Sequence, residues 1–267
     1  TMCGIVGSLG PSAGDHVASM VTALGHRGPD GQDSWRGEGV ALGAARLAIV
    51  DGKGAGQPLS DGALTLVANG EIYNHRTLRQ ELEAGGLQFQ TNGDTEVILQ
   101  GYRRWGKDVL ERLNGFFAFA LWDGERQQVL LARDRFGIAP LVWAATDDGL
   151  VFASEVKGLM AHPGITRALD PGSLDDVLCL RYAPGLRTLW RGIEHLPPGH
   201  LAELDRDTRS VQSAAWATIP AAGSGGGRWD PAEAVDALDD ALGEAVGLRA
   251  GHGDAPVGLY LSGGLDS

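Results

Sequence analysis

The stretch Met2-Cys3-Gly4-Ile5-Val6-Gly7 opens the chain with a cysteine, an apolar pair and two flanking glycines. The apolar pair predicts a short buried strand that begins at Cys3. If Met2 is removed, Cys3 carries a thiol and a free α-amine, whose ordinary pKa values are about 8.5 and about 8. An amine of that basicity can accept the thiol proton near neutral pH, so one residue could serve as nucleophile and base. A small core cysteine is the alternative, and this stretch alone leaves both interpretations open.

The composition restricts the class of protein. The chain has 267 residues, of which 43% are hydrophobic, enough for one large domain or for one domain with a fragment of another. The net charge of −12 argues against a general binder of nucleic acid or of an anionic membrane surface. No apolar run reaches the length of a membrane span, and the N-terminus lacks the pattern of a secretory signal.

The two cysteines, Cys3 and Cys179, form no disulfide framework and lack the spacing of structural zinc ligands, so no metal ligands are predicted. Low cysteine usage is typical of a reducing compartment and predicts a cytoplasmic protein. Cys179 lies among leucines in a predicted helix over residues 170–180, and we expect it to be an inert core thiol.

Short β-prone runs separated by tight turns predict antiparallel sheet, and helices before and after them predict an α+β fold. The first predicted strand begins at residue 3. The other predicted strands cover residues 40–50, 63–68, 116–122, 129–132, 138–143 and 150–153, a segment that ends near residue 205, and residues 255–261. The predicted helices cover residues 17–24, 75–84, 95–105, 154–160, 170–180 and 231–248. The glycine-rich residues 221–227 predict a boundary between a first domain, 1–220, and a second part, 221–267.

Several polar residues stand where the apolar pattern does not require them. Arg46 interrupts an apolar run, and if buried it needs an anionic partner, either a carboxylate of the protein or one of a ligand. Asn69-Gly70 follows a predicted strand, where such a pair is most often only a turn. Asp94 precedes a predicted helix and could be no more than its N-cap.

The predicted strand 255–261 runs into Ser262-Gly263-Gly264-Leu265-Asp266-Ser267, whose small residues expose backbone N–H groups. Followed by a helix N-terminus, such a loop would form an anion cradle, whereas the alternative is a plain glycine-rich loop. Strand and loop together resemble the pyrophosphate-binding loop of ATP pyrophosphatases.

Seven further motifs occur in order along the chain. They are Cys3-Gly4-Ile5-Val6-Gly7, Arg27-Gly28-Pro29-Asp30, Arg46-Leu47-Ala48-Ile49-Val50, Gln57-Pro58-Leu59, Asn69-Gly70-Glu71-Ile72-Tyr73-Asn74, Gly93-Asp94-Thr95-Glu96 and Arg133-Asp134-Arg135-Phe136-Gly137. With the final loop, they make the chain resemble class II glutamine amidotransferases of the asparagine synthetase B type over essentially its whole length. The resemblance implies an N-terminal-nucleophile αββα sandwich of two antiparallel sheets, followed by the start of an α/β ATP-pyrophosphatase domain.

The resemblance also implies roles for individual residues. Cys3 would attack the side-chain amide of glutamine with its own α-amine as base, forming a glutamyl thioester and releasing ammonia. The Asn69 side chain and the Gly70 N–H would form the oxyanion hole. The residues implied in glutamine binding are Arg46 for the α-carboxylate, Glu71 and Asp94 for the α-ammonium, and Val50, Asn69 and Gly93 beside them.

In this family, ammonia passes through an internal tunnel to a second domain, where ATP activates aspartate and ammonia converts it to asparagine. The path must be dry and mostly apolar, because protonated ammonia is no longer a nucleophile. ATP, with Mg²⁺, would be held by Leu261, Ser262, Gly263, Gly264, Asp266 and Ser267. The expected partners are glutamine, aspartate or another carboxylate acceptor, and a second copy of the chain in a homodimer.

The chain departs from the family pattern in three ways. Thr1 and Met2 precede Cys3, and we expect both to be removed, because otherwise an amide replaces the base. Ala139-Pro140-Leu141-Val142 stands where the family usually has Lys-Pro-Leu-Tyr, which leaves the acceptor substrate open. The second part contains only a predicted helix and strand, too little for a core of its own, so we expect the polypeptide to continue past Ser267.

Three functions are compatible with these observations. They are a glutamine-hydrolysing asparagine synthetase, a related amidotransferase that acts on another carboxylate in natural-product or lasso-peptide biosynthesis, and a non-catalytic scaffold of the same fold. The presence of Cys3, together with Arg46, Asn69 and Asp94, argues against the scaffold.

Overall fold

The computed structural model describes residues 2–52, 54–221, 230–254 and 256–264, and two antiparallel sheets form its centre. The strands, in chain order, are β1 (Gly4–Leu9), β2 (Gly31–Gly37), β3 (Val40–Arg46), β4 (Leu59–Asp61), β5 (Leu64–Ile72), β6 (Gly115–Asp123), β7 (Gln128–Arg133), β8 (Val142–Thr146), β9 (Gly149–Ala153), β10 (Glu194–His195), β11 (His200–Asp205) and β12 (Val211–Ala215). The first sheet has the order β10-β8-β9-β1-β3-β2, and the second has the order β12-β11-β7-β6-β5-β4.

Several helices accompany the two sheets, and some of them cover the outer faces of the sheets. In chain order they are α1 (Ala13–Ala23), α2 (His75–Ala84), α3 (Glu96–Trp105), α4 (Val109–Arg112), α5 (Val156–Met160), α6 (Pro171–Leu180) and α7 (Pro231–Ala250), with a 3-10 turn over Gly106–Asp108. Among the described residues, no helix combines the length and the apolar character that crossing a bilayer requires.

Alternation of side chains along the strands creates three apolar layers. Ile5, Leu42 and Val67 belong to the layer between the two sheets. The other face of the second sheet packs against α2 and α3, and the other face of the first sheet packs against α1 and α5. This arrangement confirms the predicted α+β sandwich of two antiparallel sheets between helices.

The strand predicted over residues 138–143 begins only at Val142, and a buried carboxylate explains the difference. Asp134 is 1% exposed and accepts hydrogen bonds from successive backbone N–H groups. The donors are the N–H groups of Phe117 (3.3 Å), Phe136 (3.0 Å), Ile138 (3.1 Å) and Ala139 (2.9 Å). Because these bonds fold residues 134–139 into a corner, the N–H groups of that stretch cannot join a strand ladder.

We expect Asp134→Ala to lower the free energy of unfolding by at least about 3 kcal/mol, because each buried N–H group left without a partner costs about 1–3 kcal/mol. Urea-induced unfolding followed by circular dichroism measures the change. Asp207→Ala is the matched control, since Asp207 is exposed and its carboxylate pairs with the adjacent Arg206, and it should cost no more than about 0.5 kcal/mol. A loss below about 1 kcal/mol in Asp134→Ala would contradict this role of the carboxylate.

Two predictions about the later part of the chain are wrong. Cys179 lies in α6 but is exposed, because the apolar side chains of this helix, such as Leu178 at 75% exposure, face none of the three layers. Residues 256–262 form no strand, because a strand needs a hydrogen-bonded neighbour and neither sheet pairs with them. The predicted helix 231–248 is present as α7, although none of its residues is buried.

Candidate active site

Cys3 lies immediately before β1 and is half-buried. The Leu47 N–H donates to its Sγ atom at 3.3 Å, and the thiol approaches the Leu47 carbonyl oxygen at 3.5 Å. The Arg27 guanidinium donates to the Cys3 carbonyl oxygen at 2.9 Å and pairs with Glu155 at 2.6 Å. Backbone and side chain of the cysteine are therefore both held in place. Arg27 does not pair with Asp30, whose carboxylate instead accepts from the backbone N–H of Ala48.

The environment of Cys3 keeps its thiol protonated. Burial is the main cause that raises the pKa of the thiol, and the carboxylates of Glu71 and Asp94 raise it further. The hydrogen bond to the backbone of Leu47 and the charge of Arg46 lower the pKa, but they do not cancel the rise. The thiol therefore needs a base before it can act as a nucleophile.

Strand alternation brings the predicted residues to one layer. Ile5, Leu42 and Val67 face the space between the sheets, so positions two or four residues away on β1, β3 and β5 face it too. These positions are Cys3, Arg46, Asn69 and Glu71. The antiparallel register pairs Gly4 with Ala45, the chain neighbours of Cys3 and Arg46.

A narrow cleft opens beside the Cys3 thiol. From the predicted set, it is lined by Cys3, Arg46, Val50, Gly70, Glu71 and Asp94. The other lining residues, which the sequence analysis did not single out as site residues, are Leu47, Ile49, Ala55, Gln57 and Thr95. Gly93 does not line the cleft, although a Cβ at that position would lie 2.7 Å from the Cβ of Ala55 in its wall.

Asn69 and Gly70 occupy the end of β5 rather than a turn. Gly70 has φ +146°, and an added Cβ would lie 2.0 Å from the carbonyl oxygen of Phe116, so only glycine fits there. Asn69 is fully buried, and both polar atoms of its side chain lack a hydrogen-bond partner within the protein. Asn69 does not line the cleft, but it directly precedes Gly70, which does, and its unpaired buried amide is a donor available for an oxyanion.

Arg46 meets backbone carbonyls instead of a carboxylate of the protein. Its guanidinium donates to Val50 at 3.2 Å, to Asp51 at 3.3 Å and to Gly52, and so shapes the loop beside the cleft. Because these partners are neutral, its positive charge is available to an anionic ligand.

Asp94 is not the N-cap of α3, a position that Thr95 occupies. One of its carboxylate oxygens accepts from the buried N–H of Ile72 at 2.7 Å. This bond holds the aspartate next to the end of β5, beside Glu71.

His252, which the sequence analysis missed, completes a cluster with these two carboxylates. Its Nε2 lies 2.7 Å from Glu71 Oε2 and 3.5 Å from Asp94 Oδ2. Burial lowers the pKa of His252, but its bonds with the two carboxylates outweigh burial and raise it to about 9, so the ring is charged at neutral pH. Burial raises the pKa of Glu71, and its bond to the histidine partly opposes this.

Glu71, Asp94 and His252 could hold a metal ion, because one possible ligand atom of each lies within 4.8 Å of the others. Among the described residues, this is the cluster with that geometry. The direct bond between the imidazole and Glu71 accounts for its geometry without one.

The residues that would hold ATP show no cradle in the described residues. Residues 256–264 are exposed and belong to neither helix nor strand, and the Gly264 N–H donates to Ser262 Oγ at 3.2 Å. Leu261 is 73% exposed. Asp266 and Ser267 lie outside the described residues. We therefore derive no step through ATP or Mg²⁺.

Comparison with known proteins finds two family models that match different parts of the chain. A family model described as a glutamine amidotransferase domain matches residues 2–216. The chain belongs to this family. A second model, described as asparagine synthase, matches residues 237–267.

Curated relatives of this glutamine amidotransferase include two from Bacillus subtilis. "Asparagine synthetase [glutamine-hydrolyzing] 3" is 34% identical over 93% of this chain, and "Asparagine synthetase [glutamine-hydrolyzing] 1" is 34% identical over all of it. "Amidase chyE" of Penicillium rubens is 33% identical over 95% of the chain. The chain spans 40%, 43% and 37% of the length of these three relatives.

A solved structure of glutamine phosphoribosylpyrophosphate amidotransferase from Bacillus subtilis has a similar fold. The TM-score is 0.61 at 23% identity, over 81% of this chain and 50% of that one.

Proposed function

We propose that this chain hydrolyses the side-chain amide of glutamine through a thioester on Cys3. The observation that carries the proposal is a single cleft in which the thiol lies with one cation, Arg46, and two carboxylates, Glu71 and Asp94. A free α-amino acid fits this charge pattern, because its carboxylate can pair with arginine and its ammonium with the carboxylates. Membership in the glutamine amidotransferase family supports glutamine as that amino acid.

In the proposed reaction, the free α-amine of a processed Cys3 takes the thiol proton, and the thiolate attacks the side-chain carbonyl carbon of glutamine. The resulting oxyanion accepts hydrogen bonds from the Asn69 amide and the Gly70 N–H. The C–N bond then breaks, and the α-ammonium returns its proton to the leaving ammonia. Water attacks the thioester with the same amine as base, which releases glutamate and restores the thiol.

We expect Asn69→Ala to lower kcat for glutamine hydrolysis by about 10²–10³-fold with a smaller change in KM, because the amide is needed only in the transition state. Its side chain makes no hydrogen bond within the protein, so the substitution breaks none in the resting fold. Glutamate release at varied glutamine concentration gives both constants, and the melting temperature checks folding.

Asn92→Ala is the matched control, because Asn92 is exposed and outside the lining of the cleft. An unchanged kcat in a folded Asn69→Ala chain would remove Asn69 from the proposed oxyanion hole.

For the ammonia, we propose delivery to an ATP-dependent synthetase part that amidates aspartate to asparagine. The match of residues 237–267 to asparagine synthase and the names of the Bacillus relatives support this fate.

A second candidate is amidation of another carboxylate. It is favoured by Ala139 and Val142 where the resemblance calls for lysine and tyrosine, and by a relative named as an amidase. The full-length protein, supplied with glutamine, ATP and a panel of carboxylic acids, distinguishes the two. Mass spectrometry would detect asparagine in the first case and a different amide in the second.

A further inference from the structure

His252 lies against the two carboxylates that, in the proposed function, hold the ammonium group of glutamine. Its side chain is 4% exposed, and its ring meets those of Tyr73 and His75 edge to face, each at 5.2 Å. The ring presents a positively charged N–H to the carboxylates of Glu71 and Asp94. A histidine that comes from 181 residues further along the chain thus supplies the kind of charge that these carboxylates would bind in a substrate.

Contacts on both sides of His252 hold its segment against the rim of the cleft. On one side, the Arg249 guanidinium lies 4.7 Å from the ring centre of Tyr73. On the other, the N–H of Asp254 donates to Ile49 at 3.1 Å, and its carboxylate accepts from the N–H of Asp51 at 2.8 Å. Ile49 lines the cleft, so Asp254 bonds to a residue of its wall.

We propose that residues 249–254 form an autoinhibitory plug, in which the His252 imidazolium takes the place of the glutamine α-ammonium and must leave before glutamine binds. The proposal rests on the proposed glutamine site. The two occupants compete, because each would place a positive charge against the same two carboxylates, and like charges at that distance repel each other.

The position of the plug in the chain gives this exclusion a consequence. Residues 249 and 250 are the last residues of α7, and residues 251–254 follow the helix directly. All of them lie within the segment that matches asparagine synthase. No residue of α7 is buried, so no core packing fixes the helix to the sandwich. Glutamine binding and release of this segment are therefore linked, and by reciprocity any event in the synthetase part that pulls α7 away increases the affinity for glutamine.

The test compares the processed chain with His252→Ala and with Asp254→Ala. The second variant breaks the contact with Asp51 without altering the carboxylates that would bind the ammonium. Because the fraction of open cleft multiplies the apparent affinity, both variants should lower KM for glutamine, His252→Ala by about tenfold, with kcat unchanged. The matched control is His200→Ala, since His200 lies on β11 and its ring contacts only a nearby carbonyl, that of Pro198.

Hydrogen exchange separates the plug from a purely structural role of His252. If the histidine were only structural, glutamine would not change the exchange rate of the amides around it. Saturating glutamine should speed the exchange of the amides of residues 249–254 in the wild-type chain. An unchanged or raised KM in both variants, or exchange that glutamine does not alter, would overturn the plug while leaving the proposed function intact. Absence of glutamine turnover in the processed wild-type chain would instead reject the proposed function, and the plug with it.

Discussion

Replacing Cys3 with alanine is expected to reduce glutamine hydrolysis by at least about 10⁴-fold, because removal of a nucleophile typically costs up to about 10⁶-fold in kcat. The thiol is the nucleophilic group that lines the cleft, and the residues around it are suited to binding and to stabilising charge. Initial rates of glutamate and ammonia release measure the loss. The side chain of Cys3 makes two contacts with the backbone of Leu47, at 3.3 and 3.5 Å. Because sulfur forms only weak hydrogen bonds, we expect the Cys3→Ala chain to keep its fold.

Cys179→Ala is the matched control, because Cys179 is an exposed thiol on α6 with no part in the cleft. It should leave the rate unchanged. Thiol-directed alkylation of the wild-type chain should abolish hydrolysis only when mass spectrometry finds the label on Cys3. Hydrolysis at the wild-type rate in a folded Cys3→Ala chain would disprove the thioester mechanism.

A chain that retains Met2 is expected to hydrolyse glutamine about 10²–10⁴-fold more slowly than one that begins at Cys3. The reason is that positioned general-base catalysis contributes a factor of this size. Retention of Met2 turns the α-amine into an amide, which cannot take the thiol proton. Since burial raises the pKa of the Cys3 thiol, spontaneous ionisation does not compensate for the missing base.

The two forms can be prepared from one precursor by specific proteolysis, and intact mass identifies each of them. In the processed form, the rate should rise with pH as the α-amine, with an ordinary pKa of about 8, loses its proton. The Met2 form should lack this rise. Equal rates in the two forms, with equal melting temperatures, would show that another group removes the proton.

Much of the site could be predicted from local sequence. Side chains alternate along a strand, so the spacing of Cys3 from Ile5, and of Asn69 and Glu71 from Val67, already assigns them to one face. The glycine after Asn69 is required by its own backbone, with φ +146°. Residues 138–141 could not be assigned in this way, because the carboxylate of Asp134 takes the N–H groups that a strand would use.

The strand and helix patterns by themselves determined the α+β class. The resemblance carried by the ordered motifs implied the αββα sandwich and most of the predicted residues around the cleft. Only the tertiary structure decided that Asp94 bonds to Ile72, that Arg46 meets carbonyls, and that His252 reaches Glu71. The Asp94 and His252 contacts join positions 22 and 181 residues apart, whereas Arg46 bonds to the loop that follows it within six residues. Packing and the need to pair buried charges select them, and no local pattern encodes that choice.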